Sequence, residues 1–291
     1  MTRFALFGHP VAHSLSPAIH AAAYRWLGQE HDYVLIDCPS ESSFRSAVER
    51  VRSGELGGAN VTVPHKQLAL ALADHVDESA AETGAANVLF RSASRLEAHN
   101  TDVPALIAEL RALAPVRASC LILGAGGAAL AAAVACRALG VDRIRIAARR
   151  FVADLRREEW PNAALFERMG AELVGWPVRD RTLAPGAVDV GLLIQATSAG
   201  LTGGEAEWEA VARIVPWEHV PASARAYDVV YTPAVTPCLA RAQAWGLRSE
   251  GGLGMLVGQA ARAIGLWLGA TPELEPLRRA AERELERRGQ A

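Results

Sequence analysis

The stretch that most limits what this chain can fold into runs from Cys120 to Leu139, CLILGAGGAALAAAVACRAL. A short apolar run, Cys120 to Leu123, stops at Gly124, and an alanine-rich helical pattern starts at about Gly127. Between them, Gly124-Ala125-Gly126-Gly127-Ala128-Ala129 has the spacing G-x-G-x-x-G/A, with Ala in the last place. Gly124 permits a tight turn, Gly126 lets a ligand come close to the backbone, and Ala129 keeps the helix near the strand. The helix start offers unpaired N–H groups and the positive end of its dipole, which suits a pyrophosphate. The segment therefore predicts a strand–loop–helix unit holding a dinucleotide on Gly124, Ala125, Gly126, Gly127 and Ala128. Ala118 to Cys136 carries no charge and is long enough to suggest a membrane span. It is mostly Ala and Gly and is broken by a glycine turn, so a soluble unit is the better reading.

At 291 residues the chain suits two domains of ordinary size. With 51% hydrophobic and 21% charged residues it has the composition of a globular protein, and a net charge of −2 gives no reason to expect nucleic acid or an acidic membrane as partner. The N-terminus reaches polar residues too soon for a signal sequence. Cys38, Cys120, Cys136 and Cys238 lack metal-ligand spacing, so reduced thiols in a cytoplasmic protein are expected, and no metal. Oligomeric state is not legible; monomer and homodimer both stay open.

Along the chain, Phe4 to Phe7 reads as a strand ending at Gly8, and Pro17 as the first turn of a helix capped by Ser16 and running to Gly28. Strands follow at Tyr33 to Ile36, Ala59 to Val63 (closed by Pro64) and Val88 to Phe90, with helices at Ser43 to Val51 and Leu68 to Leu72. Val103 to Leu113 reads as a linking helix. Beyond the glycine loop come strands at Arg143 to Ala147, Val190 to Ala196 and Ala226 to Val230, and a helix from Thr236 to Trp245. After a glycine-rich hinge, Gly251 to Gly254, an apolar helix runs from Met255 to Leu268, and a charged one from about Glu275 to Arg288. Alternation of this kind predicts an α/β architecture with largely parallel sheets.

In a Rossmann unit the second strand ends near the adenosine ribose, where an acidic residue selects NAD. Here Arg143 to Ala147 is followed by Ala148-Arg149-Arg150. Two guanidiniums in place of a carboxylate can hold a 2′-phosphate, so the expected cofactor is NADP.

Reduction of a carbonyl also needs a proton donor and groups that fix the substrate. Three segments carry such residues: His13-Ser-Leu-Ser-Pro17, Asn60-Val-Thr-Val-Pro-His-Lys66, and Asn100-Thr-Asp102 with Asn87 upstream. Alternation along the strand puts Asn60 and Thr62 on one face, and Pro64 leaves Lys66 at the strand's mouth.

With Gly84-Ala-Ala-Asn87, Ala196-Thr-Ser-Ala-Gly200, Tyr227-Asp228 and Gly254-Met-Leu-Val-Gly-Gln259 added, the chain resembles the shikimate dehydrogenase family over nearly its whole length. The resemblance implies reduction of 3-dehydroshikimate to shikimate with NADPH, in aromatic amino acid (chorismate) biosynthesis. It implies an N-terminal α/β substrate domain with a mainly parallel sheet, a Rossmann-type NADP-binding domain, and a cleft between them. The substrate domain would be discontinuous, 1–102 with 253–291, and the cofactor domain would span 103–252. Lys66 and Asp102 would form the catalytic pair. Ser14, Ser16 and Tyr227 would hold the substrate carboxylate, and Asn60, Thr62, Asn87, Asp102 and Gln259 the ring hydroxyls. Thr197 and Gly252 would join the glycine loop, Arg149 and Arg150 at the cofactor. Departures from the family pattern stand at Ala21, Val88, Val103, Ala148 to Arg150 and Gln195. None removes a proposed catalytic group. Alternatives are a paralogue acting on quinate or another shikimate-like polyol, and a non-catalytic NADP- or shikimate-sensing module.

Overall fold

The computed structural model describes residues 1–113, 118–152, 155–177, 181–199 and 205–289. The described chain divides into two compact units, Met1–Asp102 with Leu256–Gly289, and Val103–Met255.

The first unit is built on β1 (Thr2–Gly8), α1 (Ser16–Trp26), β2 (His31–Asp37), α2 (Glu41–Arg52), β3 (Gly58–Val61), α3 (Lys66–Leu72), β4 (His75–Val76), α4 (Glu78–Thr83), β5 (Val88–Ser92) and β6 (Arg95–His99). Its six strands form one sheet in the order β2-β1-β3-β5-β6-β4. β5 runs antiparallel to both neighbours, and the remaining pairs are parallel. One face of the sheet buries Ala5, Phe7, Ala59 and Leu89 against Phe44, Val48 and Val51 of α2. These α2 residues recur at helical spacing and so share one stripe. The Ser40 side chain caps that helix at the Ser43 N–H.

The second unit follows α5 (Asp102–Leu113) with β7 (Ser119–Leu123), α6 (Gly127–Ala138), β8 (Arg143–Ala147), α7 (Ala163–Arg168), β9 (Glu172–Val174), α8 (Pro185–Val188), β10 (Leu192–Gln195), α9 (Glu205–Ala212), β11 (Arg225–Asp228), α10 (Pro237–Ala244) and β12 (Arg248–Gly251). The sheet order is β12-β11-β10-β7-β8-β9 with every pair parallel. Numbered within the unit, this is the doubly wound order 3-2-1-4-5-6, and its switch point lies between β7 and β10. Both faces are covered: Cys120, Ile122 and Ile194 belong to one core cluster, and Leu121, Leu123 and Leu193 to the other. That two-sided burial explains the near-continuous apolar runs. Helices α11 (Leu253–Leu268) and α12 (Leu274–Arg287) end the described chain.

Several local expectations need correction. Ser16 does not cap α1; it is the helix's first residue, and Leu15 takes the cap position with an apolar side chain that makes no capping bond. β3 closes at Val61, so strand alternation cannot be what orients Thr62. No glycine loop spans 251–254: Gly251 ends β12 and α11 already begins at Leu253. The boundary between units falls inside that helix, between Met255 and Leu256. Among the described residues, no helix is long and apolar enough to cross a membrane, and no group of three His, Cys, Asp or Glu could hold a metal ion. All four cysteines are buried and free.

Candidate active site

Lys66 opens α3 and Asp102 opens α5, so each stands at the first turn of a helix. Their side chains meet at 2.6 Å between Nζ and Oδ2, both largely removed from solvent. The second carboxylate oxygen of Asp102 accepts from Asn87 Nδ2 at 2.9 Å, which also reaches Thr101 Oγ1 at 3.0 Å and Gln259 Oε1 at 3.3 Å. Asn60 Nδ2 approaches the same Gln259 oxygen at 3.5 Å. One polar set, all within the first unit, thus joins Lys66, Asp102, Asn87, Gln259 and Asn60.

The orientation of each amide in this set is fixed by a bond behind it. The Thr101 backbone N–H donates to Asn87 Oδ1 at 2.7 Å, which turns the Nδ2 group toward Asp102. Gln259 Nε2 donates to the Leu256 carbonyl at 2.9 Å, one turn back on its own helix, leaving Oε1 toward the two asparagines. The Tyr33 hydroxyl donates to Asn60 Oδ1 at 2.8 Å. Tyr33 can serve only as a donor there: burial first, and Tyr24 second, push its phenol well above the ordinary value, with a hydrogen bond to Ser16 opposing them. His20 stacks on the Tyr33 ring at 3.8 Å, and burial pushes its imidazole down to about 3, so it packs as a neutral ring. Buried amides with both ends engaged are rigid because any flip breaks bonds on both sides.

Ser14 and Ser16 form a hydroxyl pair at the start of α1. The Ser16 N–H donates to Ser14 Oγ at 3.1 Å, and Ser14 Oγ donates to Ser16 Oγ at 3.0 Å. Thr62 follows β3, with its N–H on the Phe7 carbonyl at 2.9 Å. Tyr227 belongs to the other unit, on β11, fully buried in that unit's core.

In the second unit one sheet edge collects the remaining candidates. Leu123, Ala147 and Gln195 are paired across the sheet, and so are Gln195 with Asp228 and Asp228 with Gly251. The strands end level, and Gly124, Arg149, Arg150, Thr197 and Gly252 all come just after that edge. Gly124 has φ +127°, and a Cβ there would lie 2.7 Å from the Ala196 carbonyl oxygen, so the chain can turn at the switch point only with glycine. Gly252 meets the end of β11 even more closely, its Cβ position 2.1 Å from the Val229 carbonyl oxygen. Gly126 precedes α6 with open space where its side chain would be, and no side chain caps the helix. The first N–H groups of α6 therefore face outward for an anion. Asn162 Nδ2 steadies the loop on the Ala125 carbonyl at 2.7 Å. Arg149 and Arg150 are exposed, and Arg149 Nη2 lies 3.7 Å from a Glu207 carboxylate oxygen. The donor set fits NADP: a glycine loop and helix terminus for pyrophosphate, and solvent-facing guanidiniums beyond the second strand for a phosphate.

Gln195, one of the departures from pattern, proves to organise the loop after β10. Fully buried, it accepts from the Thr197 N–H at 2.6 Å and from Thr197 Oγ1 at 2.8 Å, and donates to the Ala199 carbonyl at 2.8 Å. Thr197 is thus held from behind; Gly200 lies outside the described residues. Sequence reasoning missed Tyr33, Thr101 and Gln195 as supports, because each supports a partner far away or across a loop that periodicity cannot reveal. Asp228 was visible within a motif but not its setting. It is fully buried, accepts from Thr236 Oγ1 at 2.6 Å and from the Val230 N–H at 2.9 Å, and burial pushes its carboxyl up to about 7 against those two bonds.

Comparison with known proteins agrees with this geometry. Residues 6–89 match the shikimate dehydrogenase substrate binding domain, and residues 252–282 the shikimate 5'-dehydrogenase C-terminal domain. Shikimate dehydrogenase (NADP(+)) of Rhodopseudomonas palustris is 39% identical over 279 residues, covering 94% of each chain. The crystal structure of shikimate 5-dehydrogenase from Thermus thermophilus, in complex with NADP(H) and shikimate, superposes with a TM-score of 0.80 at 36% identity, covering 97% of this chain and 99% of that one. The ligand-free 5-ketofructose reductase of a Gluconobacter strain has the same fold at TM-score 0.78 and 28% identity, covering 97% of this chain and 98% of that one. The paired lysine and aspartate, the amides around them, the doubly wound cofactor unit and the extent of these matches lead to one assignment: this chain belongs to the shikimate dehydrogenase family.

Proposed function

We propose that this chain catalyses the reversible, NADPH-dependent reduction of 3-dehydroshikimate to shikimate, a step of chorismate and aromatic amino acid biosynthesis. The observation that carries this reading is the Lys66–Asp102 pair, 2.6 Å apart and joined through Asn87 to Gln259. When bound, NADPH supplies the hydride that goes to the ketone carbon. Lys66 Nζ gives its proton to the ketone oxygen as that oxygen gains negative charge, and its own positive charge stabilises the oxygen before the proton moves. In the oxidative direction the same nitrogen takes the proton back. Asp102 fixes Nζ, and Asn87 fixes Asp102 in turn. Asn60 Nδ2, whose bond to Gln259 is long at 3.5 Å, has a hydrogen to offer a ring hydroxyl, and Asn87, Gln259 and Thr62 complete that set. Ser14 and Ser16 present hydroxyls to the carboxylate. Gly124 to Ala128, Arg149, Arg150, Thr197 and Gly252 hold the cofactor.

The test is turnover of shikimate, quinate and reduced 5-ketofructose, each with NADP+ and NAD+, followed by the absorbance of the reduced nicotinamide. The highest kcat/KM is expected for shikimate with NADP+. A clear preference for quinate with NAD+, or for the ketofructose couple, overturns the reading. The ketofructose couple is included because a reductase with that substrate has the same fold.

A further inference from the structure

The proposed carboxylate site is neutral: its ligands are hydroxyls, and two of them, Ser14 and Ser16, lie on one loop of the first unit. What holds that loop comes from the other end of the sequence. Arg288, the residue that closes α12, donates from Nη1 to the His13 carbonyl at 2.7 Å and from Nη2 to the Ser14 carbonyl at 3.3 Å. Its third side, Nε, donates to Glu284 Oε1 at 2.7 Å, one turn back on the same helix. Arg287 grips the same carboxylate through both of its oxygens, at 2.7 and 2.8 Å. The hydrogen bonds from Arg287 and then Arg288 pull the Glu284 carboxyl down to about 2, so it stays ionised at any working pH. Of the three groups, the Arg288 guanidinium is the one that touches the backbone of the hydroxyl pair, whereas Arg287 stands 71% exposed.

This arrangement is more specific than a surface ion pair. The planar fork of arginine reaches two successive carbonyls while a third nitrogen is anchored, which lysine cannot reproduce. Within the loop, the Ser14 N–H is bonded to the Val11 carbonyl at 3.0 Å, and the Ser14 hydroxyl is engaged with Ser16. The carbonyls of His13 and Ser14 both accept from Arg288. We infer that Arg288 is a positioning residue for the substrate carboxylate: it sets the Ser14–Ser16 hydroxyls in place and adds positive charge behind a site whose own ligands have none. The inference rests on the reading that Ser14 and Ser16 receive a carboxylate.

Steady-state kinetics of the full chain test it with Arg288→Ala, Arg288→Lys and, as control, Arg287→Ala. Arg288→Ala is expected to raise the KM for shikimate about tenfold while kcat and the KM for NADP+ stay within about twofold. Arg288→Lys should fall between, and Arg287→Ala should match the parent. With shikimate methyl ester, which lacks the negative charge, the penalty of Arg288→Ala should be clearly smaller than with shikimate, a difference that mere unpacking of α12 would not produce. An unchanged KM for shikimate in Arg288→Ala overturns the inference alone. So does an equal penalty on the acid and the ester, or a parallel fall of kcat, cofactor affinity and thermal midpoint in both Arg288 variants. A parent enzyme that does not oxidise shikimate overturns the functional reading, and the inference with it.

Discussion

Asp102→Asn isolates what the paired carboxylate does, because it keeps the shape and removes the charge. Both oxygens of Asp102 are acceptors in the structure, Oδ2 for Lys66 Nζ at 2.6 Å and Oδ1 for Asn87 Nδ2 at 2.9 Å. An amide has one oxygen, so either orientation sets its NH2 against a donor. If it faces Lys66, the ammonium loses its anchor. If it faces Asn87, that side chain must turn, and its bonds to Thr101 and Gln259 go with it. A hydrogen bond to a charged group contributes about 1.5–3 kcal/mol, and leaving a buried donor unpaired adds about 1 kcal/mol or more. The combined loss of about 2.5–4 kcal/mol corresponds to a fall in kcat/KM of roughly seventyfold to a thousandfold. The assay is shikimate oxidation with NADP+, alongside titration of NADP+ binding, which should change less than about twofold because the proposed cofactor contacts lie in the other unit. A variant that keeps kcat/KM within about threefold of the parent would refute the pairing argument. So would one that loses cofactor affinity in proportion.

Three further outcomes are expected. Gly124→Ala combines a left-handed φ with a Cβ 2.7 Å from the Ala196 carbonyl oxygen, so NADP+ should bind at least about tenfold more weakly and the thermal midpoint should fall, with normal cofactor affinity as the refuting result. Replacing Arg149 and Arg150 together by Ala should raise the KM for NADP+ by more than about tenfold while leaving that for NAD+ nearly unchanged, since only NADP carries the 2′-phosphate. Asp228, with a folded pKa near 7 against an ordinary 3.8, binds more protons folded than unfolded between those values, so its contribution to stability falls as pH rises from about 4 to about 7 and is level on either side. Denaturant melts should show that loss in the parent and a flatter profile in Asp228→Asn; identical profiles would count against a buried, protonated carboxyl.

The cofactor unit was readable because its determinants are local. A strand, a turn that needs Gly124 and a helix without a capping side chain follow one another in about twenty residues, and their order dictates their geometry. The strand-end Arg149 and Arg150 were legible for the same reason. Lys66 and Asp102 could be named only through motif order, since nothing in their local sequence says that two helix starts face each other. The supports were hidden for a related reason. Tyr33 looks like any aromatic in a strand, and its bond to Asn60 depends on how β1, β2 and β3 pair. Gln195 read as a deviation, yet it makes its contacts within the four residues that follow it. Its extra methylene was visible in the sequence, but the turn into which it curls was not. Ser16 misled because Ser before Pro is a good capping signal, and here Ser14 occupies the partner position instead.

The amide of Gln259 meets Asn60 and Asn87 across separations of 199 and 172 residues. Proteins are made from the N-terminus, so this distance is also a delay. The ribosome delivers Lys66, Asn87 and Asp102, then the whole of the second unit, and only afterwards the helix that carries Gln259. The second unit is continuous in sequence and free to fold while synthesis is under way, whereas the first must wait with its sheet uncovered on the α11 side. A nascent or prematurely stopped chain would thus acquire the nucleotide-holding half before a finished substrate half. The oxygen of one glutamine, arriving last, marks the moment at which the asparagines around Lys66 and Asp102 gain their common acceptor.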